Sequence, residues 1–399
     1  MQDIKLKKLK IGIIGANGRG RLADNCHKPC DGVEVVAGMD ISQYQIERFK
    51  KRYLEKFGYQ VNGYLNCREM LEKEKLDGIF ITSPDFCHEE HALMCIEKGI
   101  PVYLEKPMAI TIEGCDNIMA AARNKKTKVM LGHNMRYMNF TTQMRNLILA
   151  GEIGEVKAVW CRHFISYGGD AYFRDWHAER EKSTGLLLQK GAHDIDIIHW
   201  LTGAYTERVV GMGQLSVYDK LPRRSCDPDV PIDVTFNPQN WPPEDTGNYN
   251  QVIDVEDQSM ILMQLTNGVQ ASYMQCHFTP DDSRNYTIIG TRGRIENYGD
   301  NSESSKVALW KRRRGGFSLE GDVMFRSDPT QGSHGGADPK IAQSFIDVIR
   351  GRSKPLSTAQ AARYSIAVGC KGTESIRNGN IPLDIPGLPE ELENYDYSE

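Results

Sequence analysis

Gly15, Gly18 and Gly20 lie in a glycine-rich turn directly after the apolar segment 9–14. Such a turn between a strand and a helix binds a pyrophosphate, because backbone N–H groups and the positive end of the helix dipole face the phosphates. Gly15 suits a tight turn, and Gly20 suits close packing of the helix on the strand. Asn17 replaces the middle glycine of the G-x-G-x-x-G pattern, and asparagine tolerates left-handed backbone better than most residues. The turn therefore predicts a dinucleotide site.

A carboxylate follows the next apolar segment of the chain. Asp40 comes directly after residues 33–39, where dinucleotide-binding domains place the acidic side chain that binds the ribose hydroxyls. Ile41 and Ser42 come next, so no neighbouring arginine is available for the 2′-phosphate of NADP. The pattern predicts NAD as the cofactor and disfavours NADP. The alternative is a glycine-rich turn in some other α/β protein.

Short apolar segments alternate with helical segments over residues 1–135. This alternation predicts an N-terminal Rossmann domain with a doubly wound parallel sheet, because parallel strands need helical crossovers and are buried on both faces. Lys106 follows the apolar segment 102–104, and ligands in such sheets bind beyond the carboxyl ends of strands. Lys106 is therefore expected at the edge of the sheet where ligands bind.

Residues 136–399 show a different pattern, with long strand-like segments separated by turn signals such as Asn267-Gly268. This pattern predicts a C-terminal α+β domain for substrate binding and oligomerisation, with a large, mostly antiparallel open sheet. Residues 219–254 are rich in Pro, Asn and Asp and are expected to form a long insertion or lid. Residues 386–399 form an acidic tail.

The composition excludes several classes of protein. The 399 residues carry a net charge of −4, which argues against a nucleic-acid partner. No segment approaches the roughly 20 apolar residues that span a bilayer, so no membrane partner is expected. The ten cysteines form no paired C-x-x-C sets, and no metal site is predicted. With no recognisable secretory signal, we expect a cytoplasmic protein with reduced thiols.

Four blocks of the chain occur in the order found in one family of oxidoreductases. They are residues 11–20, 82–88, 105–107 and 191–196, and residues 335–338 before a helical segment add a fifth similarity. On these blocks the chain resembles the Gfo/Idh/MocA family, which includes glucose–fructose oxidoreductase and inositol dehydrogenase. The resemblance covers nearly the whole chain, and the Glu-Lys-Pro block is its most specific part.

The resemblance implies two catalytic residues, Lys106 and His193. In the family, the lysine acts on the reacting hydroxyl, the following proline constrains it, and the histidine binds that hydroxyl. Gln189 is a departure, since dehydrogenases of the family commonly carry Asp four residues before the histidine. Gln189 can donate as well as accept but carries no charge. Lys190 beside it either supplies a second cation for the substrate or faces solvent.

The remaining candidates fall into two groups. Those assigned to the cofactor through the resemblance, besides the turn and Asp40, are Arg19, Thr82, Pro84, His88 and Glu105. Those assigned to the substrate, besides Gln189 and Lys190, are Asn134, Arg174, Trp176 and His177. The last three belong to an aromatic loop with interleaved donors, which suits sugar rings and their hydroxyls. The same loop could instead line a subunit interface.

Three functional hypotheses are compatible with these residues. The first is hydride transfer between NAD and a secondary hydroxyl of a sugar, glycoside or cyclitol. The second is an NAD-using, redox-neutral glycoside hydrolase that works by oxidation and elimination. The third is a non-catalytic, NAD-binding regulator, against which the presence of both Lys106 and His193 argues. The resemblance also implies a homodimer or homotetramer, formed through the open sheet.

Overall fold

The computed structural model describes residues 7–227, 232–300, 305–326 and 332–393. Parts of the predicted insertion (228–231) and tail (394–399) therefore lie outside the described residues. The described chain forms two compact units. The first contains residues 7–137, 332–363 and 388–393, and the second contains the described residues between 138 and 326 together with 364–387.

The first unit contains a six-stranded parallel sheet in the order β3-β2-β1-β4-β5-β6. This confirms the predicted Rossmann arrangement. Its strands are β1 (Leu9–Ile14), β2 (Val33–Met39), β3 (Asn62–Tyr64), β4 (Gly78–Ile81), β5 (Val102–Leu104) and β6 (Val129–Leu131). From β1 the chain adds strands first towards one edge of the sheet (β2, β3) and then towards the other (β4, β5, β6). At such a switch point, between β1 and β4, the loops after the strands leave a crevice for a ligand.

Helices flank this sheet. The α-helices are α1 (Gln43–Phe57), α2 (Cys67–Lys73), α3 (His88–Glu97), α4 (Ile112–Lys125), α10 (Ala337–Ile349) and α12 (Glu390–Glu393). Short 3-10 helices span Gly18–Cys26, Pro29–Asp31, Asp85–Cys87 and Asn134–Tyr137. The helix α1 shows why these segments fold locally: Ser42 caps its first turn through a hydrogen bond from Gln45 N, and Gly58 ends it with φ of 64°.

The helix α10 packs into the core of the first unit although it comes late in the chain. Phe345 makes an edge-to-face contact with Phe80, at a ring distance of 5.0 Å, and lies 5.9 Å from Tyr103. Ile341 is fully buried in the same cluster. The sequence division at 135/136 placed this helix in the second domain. The apolar face of α10 packs against a sheet whose strands lie more than 200 residues earlier in the sequence, and the local sequence pattern does not reveal this contact.

The second unit contains a nine-stranded sheet in the order β14-β13-β12-β11-β7-β10-β9-β8-β15. Among the strands that the structure describes, only β7 and β10 pair in parallel, which confirms the predicted, mostly antiparallel sheet. The strands are β7 (Val156–Phe164), β8 (Thr206–Gln214), β9 (Gln258–Leu265), β10 (Gln270–Cys276), β11 (Ser283–Gly290), β12 (Gly293–Tyr298), β13 (Lys306–Trp310), β14 (Val323–Arg326) and β15 (Leu383–Asp384).

The second unit also contains helices, some of which pack on its sheet. They are α5 (Asn139–Leu149), α6 (Gly168–Tyr172), α7 (Arg180–Ser183), α8 (Leu186–Gln189), α9 (Gly191–Thr202) and α11 (Ala359–Arg377), whose first turn belongs to the first unit. Gly191 lets α9 approach β10 closely, since a Cβ there would lie 2.9 Å from the ring of Tyr273. In the described chain, no helix is long and apolar enough to cross a bilayer.

The predicted insertion, residues 219–254, has little regular structure where it is described. Its 3-10 turns span Tyr218–Lys220 and Pro243–Asp245. Tyr249 is buried against Tyr218, and the Asp170 carboxylate accepts a hydrogen bond from Asn237 N at 3.0 Å. The insertion is therefore packed onto the loops of the second unit through aromatic rings and a buried carboxylate.

Candidate functional site

The glycine-rich turn has the tight geometry that a phosphate cradle needs. Gly15 has φ of 81°, and its N–H donates to Met39 O at 2.9 Å, which closes the turn onto β2. A Cβ on Gly20 would lie 2.1 Å from Gly15 O, so only glycine fits there. Gly18 has φ of 54°, and a Cβ placed on it would have no described atom within 4 Å. The cradle is open at Gly18 and closed at Gly15 and Gly20.

Asn17 does not adopt the left-handed backbone that asparagine tolerates and that its place in the turn predicted. Its φ is −120° and its ψ is −169°, which is extended backbone. Gly18 adopts the positive φ instead, because it has no Cβ to clash. The Asn17 side chain donates to Gln45 O at 2.6 Å and accepts from Arg52 at 2.5 Å, so it ties the turn to α1. Asn17, which stands where the G-x-G-x-x-G pattern has its middle glycine, therefore ties the turn to the neighbouring helix α1.

Gly20→Ala is expected to disrupt the turn, since its methyl group would meet a backbone carbonyl that cannot move without opening β1. We expect a loss of about 1–3 kcal/mol or more in the free energy of unfolding, as for overpacked cores, together with weaker NAD binding. Chemical denaturation and calorimetric titration with NAD measure both. Gly387→Ala is the control, because Gly387 does not have a left-handed backbone and its Cβ would meet nothing within 4 Å. Equal behaviour of the two variants would contradict this account of the turn.

Asp40 lies where the sequence predicted it, directly after β2. Its carboxylate accepts a hydrogen bond from Ser42 N at 3.3 Å. Burial raises the pKa of Asp40, and hydrogen bonds from backbone N–H groups partly oppose that rise. A half-buried carboxylate at this strand end is suited to accept hydrogen bonds from two vicinal hydroxyls.

Lys106 follows β5, and a cis peptide bond joins it to Pro107. Its backbone N–H donates to Glu105 Oε2 at 3.0 Å, and its side chain is half-buried. The carbonyl of Pro107 lies 2.6 Å from His88 Nδ1, while Ser83 O lies 2.8 Å from His88 Nε2. The backbone on the carboxyl side of Lys106 is therefore held against the loop that follows β4.

Glu105 is the centre of a buried ion-pair network. Arg19 Nε lies 2.5 Å from Glu105 Oε1, and Arg19 Nη1 lies 2.7 Å from Asp338 Oδ2. Tyr103 donates to the same Glu105 oxygen at 3.1 Å. Burial acts to raise the pKa of Glu105, but the Arg19 guanidinium outweighs it and holds the pKa below its ordinary value. The network joins the glycine-rich turn, the end of β5 and the start of α10.

The other residues assigned to the cofactor also have internal partners. Thr82 Oγ1 lies 2.8 Å from Gly15 O and 3.0 Å from Ile14 O, so it braces the turn from β4. Pro84 begins the 3-10 turn that leads to the buried ring of His88. Asn134, assigned to the substrate, is 3% exposed, and its Oδ1 has no hydrogen-bond partner among the described residues. The structure thus brings Thr82, His88 and the turn together in one unit.

Gln189, Lys190 and His193 lie close together in the second unit, at the end of α8 and the start of α9. Gln189 and Lys190 are buried, and His193 is half-buried. Beneath them, the fully buried Asp194 lies 2.7 Å from Arg284 Nε. Burial acts to raise the pKa of Asp194, but Arg284 outweighs it and lowers that pKa well below its ordinary range. The buried ion pair anchors α9 to the sheet.

The aromatic loop has well-defined internal contacts. Arg174 Nη2 lies 3.3 Å from Asp170 Oδ1, and its guanidinium stands over the ring of Tyr249. Trp176 stacks on His177 at a ring distance of 3.7 Å. Arg174 therefore holds the insertion through Asp170, whereas the two rings form a flat apolar surface of the kind that suits a sugar face.

Three contact residues were not singled out from the sequence. Asp175 Oδ1 accepts from His177 Nδ1 at 2.5 Å, and Tyr167 binds Lys190. Arg284 comes from β11, far along the chain. The Asp-x-His spacing could have indicated the first of these, because such a carboxylate commonly orients a histidine. No local signal identifies Tyr167 or Arg284.

A family model described as an oxidoreductase family, NAD-binding Rossmann fold (Gfo/Idh/MocA), matches residues 9–133. The corresponding C-terminal alpha/beta domain of that oxidoreductase family matches residues 145–385. Together the two matches span most of the chain.

Individual relatives agree with the family match. A Bacillus subtilis protein named as an oxidoreductase, YteT, is 27% identical over 345 residues, covering 75% of this chain and 79% of the relative. Glucose-6-phosphate 3-dehydrogenase of Bacillus subtilis is 31% identical over 196 residues, covering 48% of this chain and 53% of the enzyme. The crystal structure of myo-inositol 2-dehydrogenase from Lactobacillus plantarum matches with a TM-score of 0.69 and 18% identity, covering 95% of this chain and 100% of that one. The last match concerns the fold alone.

Proposed function

The chain belongs to the Gfo/Idh/MocA oxidoreductase family, and we propose that it transfers hydride between NAD and a secondary hydroxyl of a sugar, glycoside or cyclitol. The observation that carries the proposal is the placement of Lys106. It follows β5 in the NAD-binding unit, on the same side of the sheet as the glycine-rich turn, and Arg19 links the two segments through Glu105. A proton-transfer group is thereby fixed relative to the cofactor cradle.

The first unit fits a dinucleotide. The cradle is closed by glycines at the places where a Cβ would collide, and it is open at Gly18. In the proposed complex the pyrophosphate faces this turn, and Asp40 accepts hydrogen bonds from the ribose hydroxyls. The residue next to Asp40 is Ile41, which offers nothing to a 2′-phosphate, so we propose NAD rather than NADP.

The reaction needs a proton acceptor as well as a hydride acceptor. When bound, NAD accepts the hydride from the carbinol carbon. Lys106, in its neutral amine form, takes the hydroxyl proton as the carbonyl forms, and it returns that proton in the reverse direction. His193 is proposed to hydrogen-bond the substrate hydroxyl, with Gln189 as an uncharged polar contact. Glu105 and His88 position the Lys106 segment through the bonds described above.

The direct test is formation of NADH by purified protein with NAD and a panel of aldoses, cyclitols and glycosides. The proposal expects NADH with at least one of them. Two other outcomes reassign the function. Release of sugar from a glycoside without net NADH would indicate the redox-neutral hydrolase, for which Gln189 in place of the usual Asp leaves room. Binding of NAD without any turnover across the panel would indicate a regulator.

We further propose that the protein is a homodimer or homotetramer formed through the uncovered face of the second sheet. This face carries large apolar side chains at neighbouring positions on four strands, and Leu262, Trp160 and Met260 are 63%, 51% and 50% exposed. Ser272 of β10 pairs with Trp160 on the neighbouring strand β7 and with Leu262 on the neighbouring strand β9. Trp160 and Leu262 therefore lie on either side of Ser272. Apolar patches of this kind usually mark an interface between proteins.

Leu262→Asp is expected to shift the protein to the monomer, because the introduced carboxylate would be buried without a partner at the centre of the apolar face. Light scattering after size-exclusion chromatography measures the mass. Gln264→Asp on the same strand is the control, since this position is exposed but lies towards the strand end. An unchanged mass in Leu262→Asp, or a wild-type monomer, would overturn the proposed interface.

A further inference from the structure

Lys190 is a buried cation with an unusual set of neighbours. The residue is 8% exposed, and its Nζ donates to the Tyr167 hydroxyl at 2.6 Å. The ammonium also stands 4.9 Å from the centre of the Tyr167 ring and 5.6 Å from that of Tyr172. The Tyr172 side chain also forms a hydrogen bond with the ammonium. The contacts are therefore with two neutral tyrosines, both within the second unit.

No carboxylate balances this charge at close range. Within the described part of the chain, Lys190 forms no ion pair at 4.0 Å or less. Asp194 is already occupied by Arg284 at 2.7 Å and by Tyr286. Asp282 is close enough to interact electrostatically with the ammonium but does not contact it. A buried charge without a close counterion is costly, which indicates that a ligand supplies the missing anion.

The two histidines near Lys190 do not add to its charge. Burial, together with nearby positive charge, lowers the pKa of His163 to about 3, and burial lowers the pKa of His277 to about 3. Both rings are therefore neutral at physiological pH. His277 is fully buried, its Nδ1 faces Asp257 O at 3.2 Å, and its Nε2 has no hydrogen-bond partner among the described residues. His277 is thus a second polar group whose capacity is not used.

Tyr167 stays protonated, because burial raises the pKa of its phenol well above its ordinary value. Its oxygen accepts from Lys190, so its own O–H can donate onward to an acceptor. Lys190 itself has three N–H donors, of which one is directed to Tyr167 and one to Tyr172. The pair therefore offers ammonium and hydroxyl donors side by side. Two adjacent donors, one of them charged, match the two oxygens of an oxyanion.

We propose that Lys190 and Tyr167 bind an oxyanion carried by the substrate, so that the protein prefers sugar acids or sugar phosphates to neutral sugars. This inference rests on the proposed function, since it names the class of sugar that is oxidised. A carboxylate and a phosphate share the required chemistry, and the choice between them is left to the experiment. Tyr172 and His177, whose rings lie 5.2 Å apart, are placed beside the pair to contact the uncharged part of the sugar.

The test compares matched substrates in the NAD-linked assay. Glucose, glucuronate and glucose 6-phosphate differ in the oxyanion, and galactose with galacturonate provides a second pair. We expect wild-type kcat/KM to favour one anionic sugar over its neutral counterpart by about 10- to 100-fold, the value of a charge-assisted hydrogen bond. The preferred anion distinguishes a carboxylate site from a phosphate site.

Variants assign this preference to Lys190. Lys190→Met keeps the approximate length of the side chain and removes its charge. The kcat/KM for the anionic sugar should then lie within about 3-fold of that for its neutral counterpart. Lys190→Arg should retain most of the preference, which separates loss of charge from loss of folding. Lys157→Met, at an exposed lysine of β7 that is 54% exposed, is the control and should leave the preference unchanged. Equal kcat/KM for neutral and anionic sugars in the wild type, or an unchanged preference in Lys190→Met, would overturn the proposal.

A failure of the proposed function would look different. If no sugar yields NADH, calorimetric titration of the NAD-saturated protein with glucuronate, glucose 6-phosphate and inorganic phosphate still tests the site. Binding that is lost in Lys190→Met but kept in Lys157→Met would support the oxyanion site without the dehydrogenase reaction. Absence of binding of all three anions would overturn it.

Discussion

Replacing Lys106 with methionine should lower kcat/KM by about 10²- to 10⁴-fold, the usual contribution of a positioned proton-transfer group. NAD should bind within a few-fold of wild type, because the side chain lies beyond β5 and forms no part of the glycine-rich turn. The expected change is mainly in kcat. Steady-state kinetics with the best substrate of the panel and calorimetric titration with NAD measure the two effects separately.

Two further variants sharpen this prediction. Lys106→Arg keeps a positive charge but cannot release a proton at neutral pH, so it should be nearly as inactive as Lys106→Met. Lys98→Met, at the exposed end of α3, should retain wild-type activity. A Lys106→Arg variant with more than about a tenth of wild-type activity would show that Lys106 acts by charge rather than by proton transfer.

Replacing Arg19 with methionine should destabilise the first unit severely. The change leaves the carboxylates of Glu105 and Asp338, whose side chains are 7% and 3% exposed, without their shared cation. Removing one partner of a buried ion pair costs about 3–5 kcal/mol. For a unit of this size that corresponds to a fall of roughly 10 °C in Tm. Differential scanning calorimetry measures the loss, and Arg21→Met, at an exposed neighbour in the same 3-10 helix, is the control.

The effect of Arg19→Met on Tm should depend on pH. Arg19 lowers the pKa of Glu105 below its ordinary value of 4.5 in the folded protein. The ion pair therefore stabilises the fold fully above pH 4.5, and this stabilisation is lost as the pH falls through the lowered pKa of Glu105. The Tm difference between wild type and Arg19→Met should therefore narrow below about pH 4.5. Adding Glu105→Gln to Arg19→Met should recover part of the loss, since no buried charge then remains at residue 105. A Tm for Arg19→Met within about 2 °C of wild type would contradict the importance of the network.

The fold was predictable because its signals are local. The strands β1 and β2 are short apolar runs, the glycine spacing marks the turn, and Asp40 follows directly after its strand. The alternation of buried and exposed residues along β9 is likewise visible in the sequence, since successive side chains point to opposite faces. Each of these features depends on residues within a few positions of one another.

The features that escaped prediction join distant segments. Arg19 meets Asp338 across 319 positions of sequence, and α10 completes the core of the first unit. The residue type of Asn17 predicts a tolerant backbone, whereas its side chain in fact binds α1 through Gln45 and Arg52. Lys190 could be read from the sequence only as a cation or a solvated surface residue. Its burial beside Tyr167 is a property of packing, which no spacing rule provides.

The measurement that tests the central claim most directly is the fate of the hydrogen on the reacting carbon. Purified protein and NAD would be incubated with C-deuterated glucose, glucuronate, glucose 6-phosphate and myo-inositol, and the cofactor would be analysed by mass spectrometry. Hydride transfer predicts reduced cofactor that carries one deuterium with at least one substrate, and no labelled cofactor with Lys106→Met. Labelled product without any deuterium in the cofactor, or NAD-bound protein that transfers no deuterium from any substrate, would contradict it.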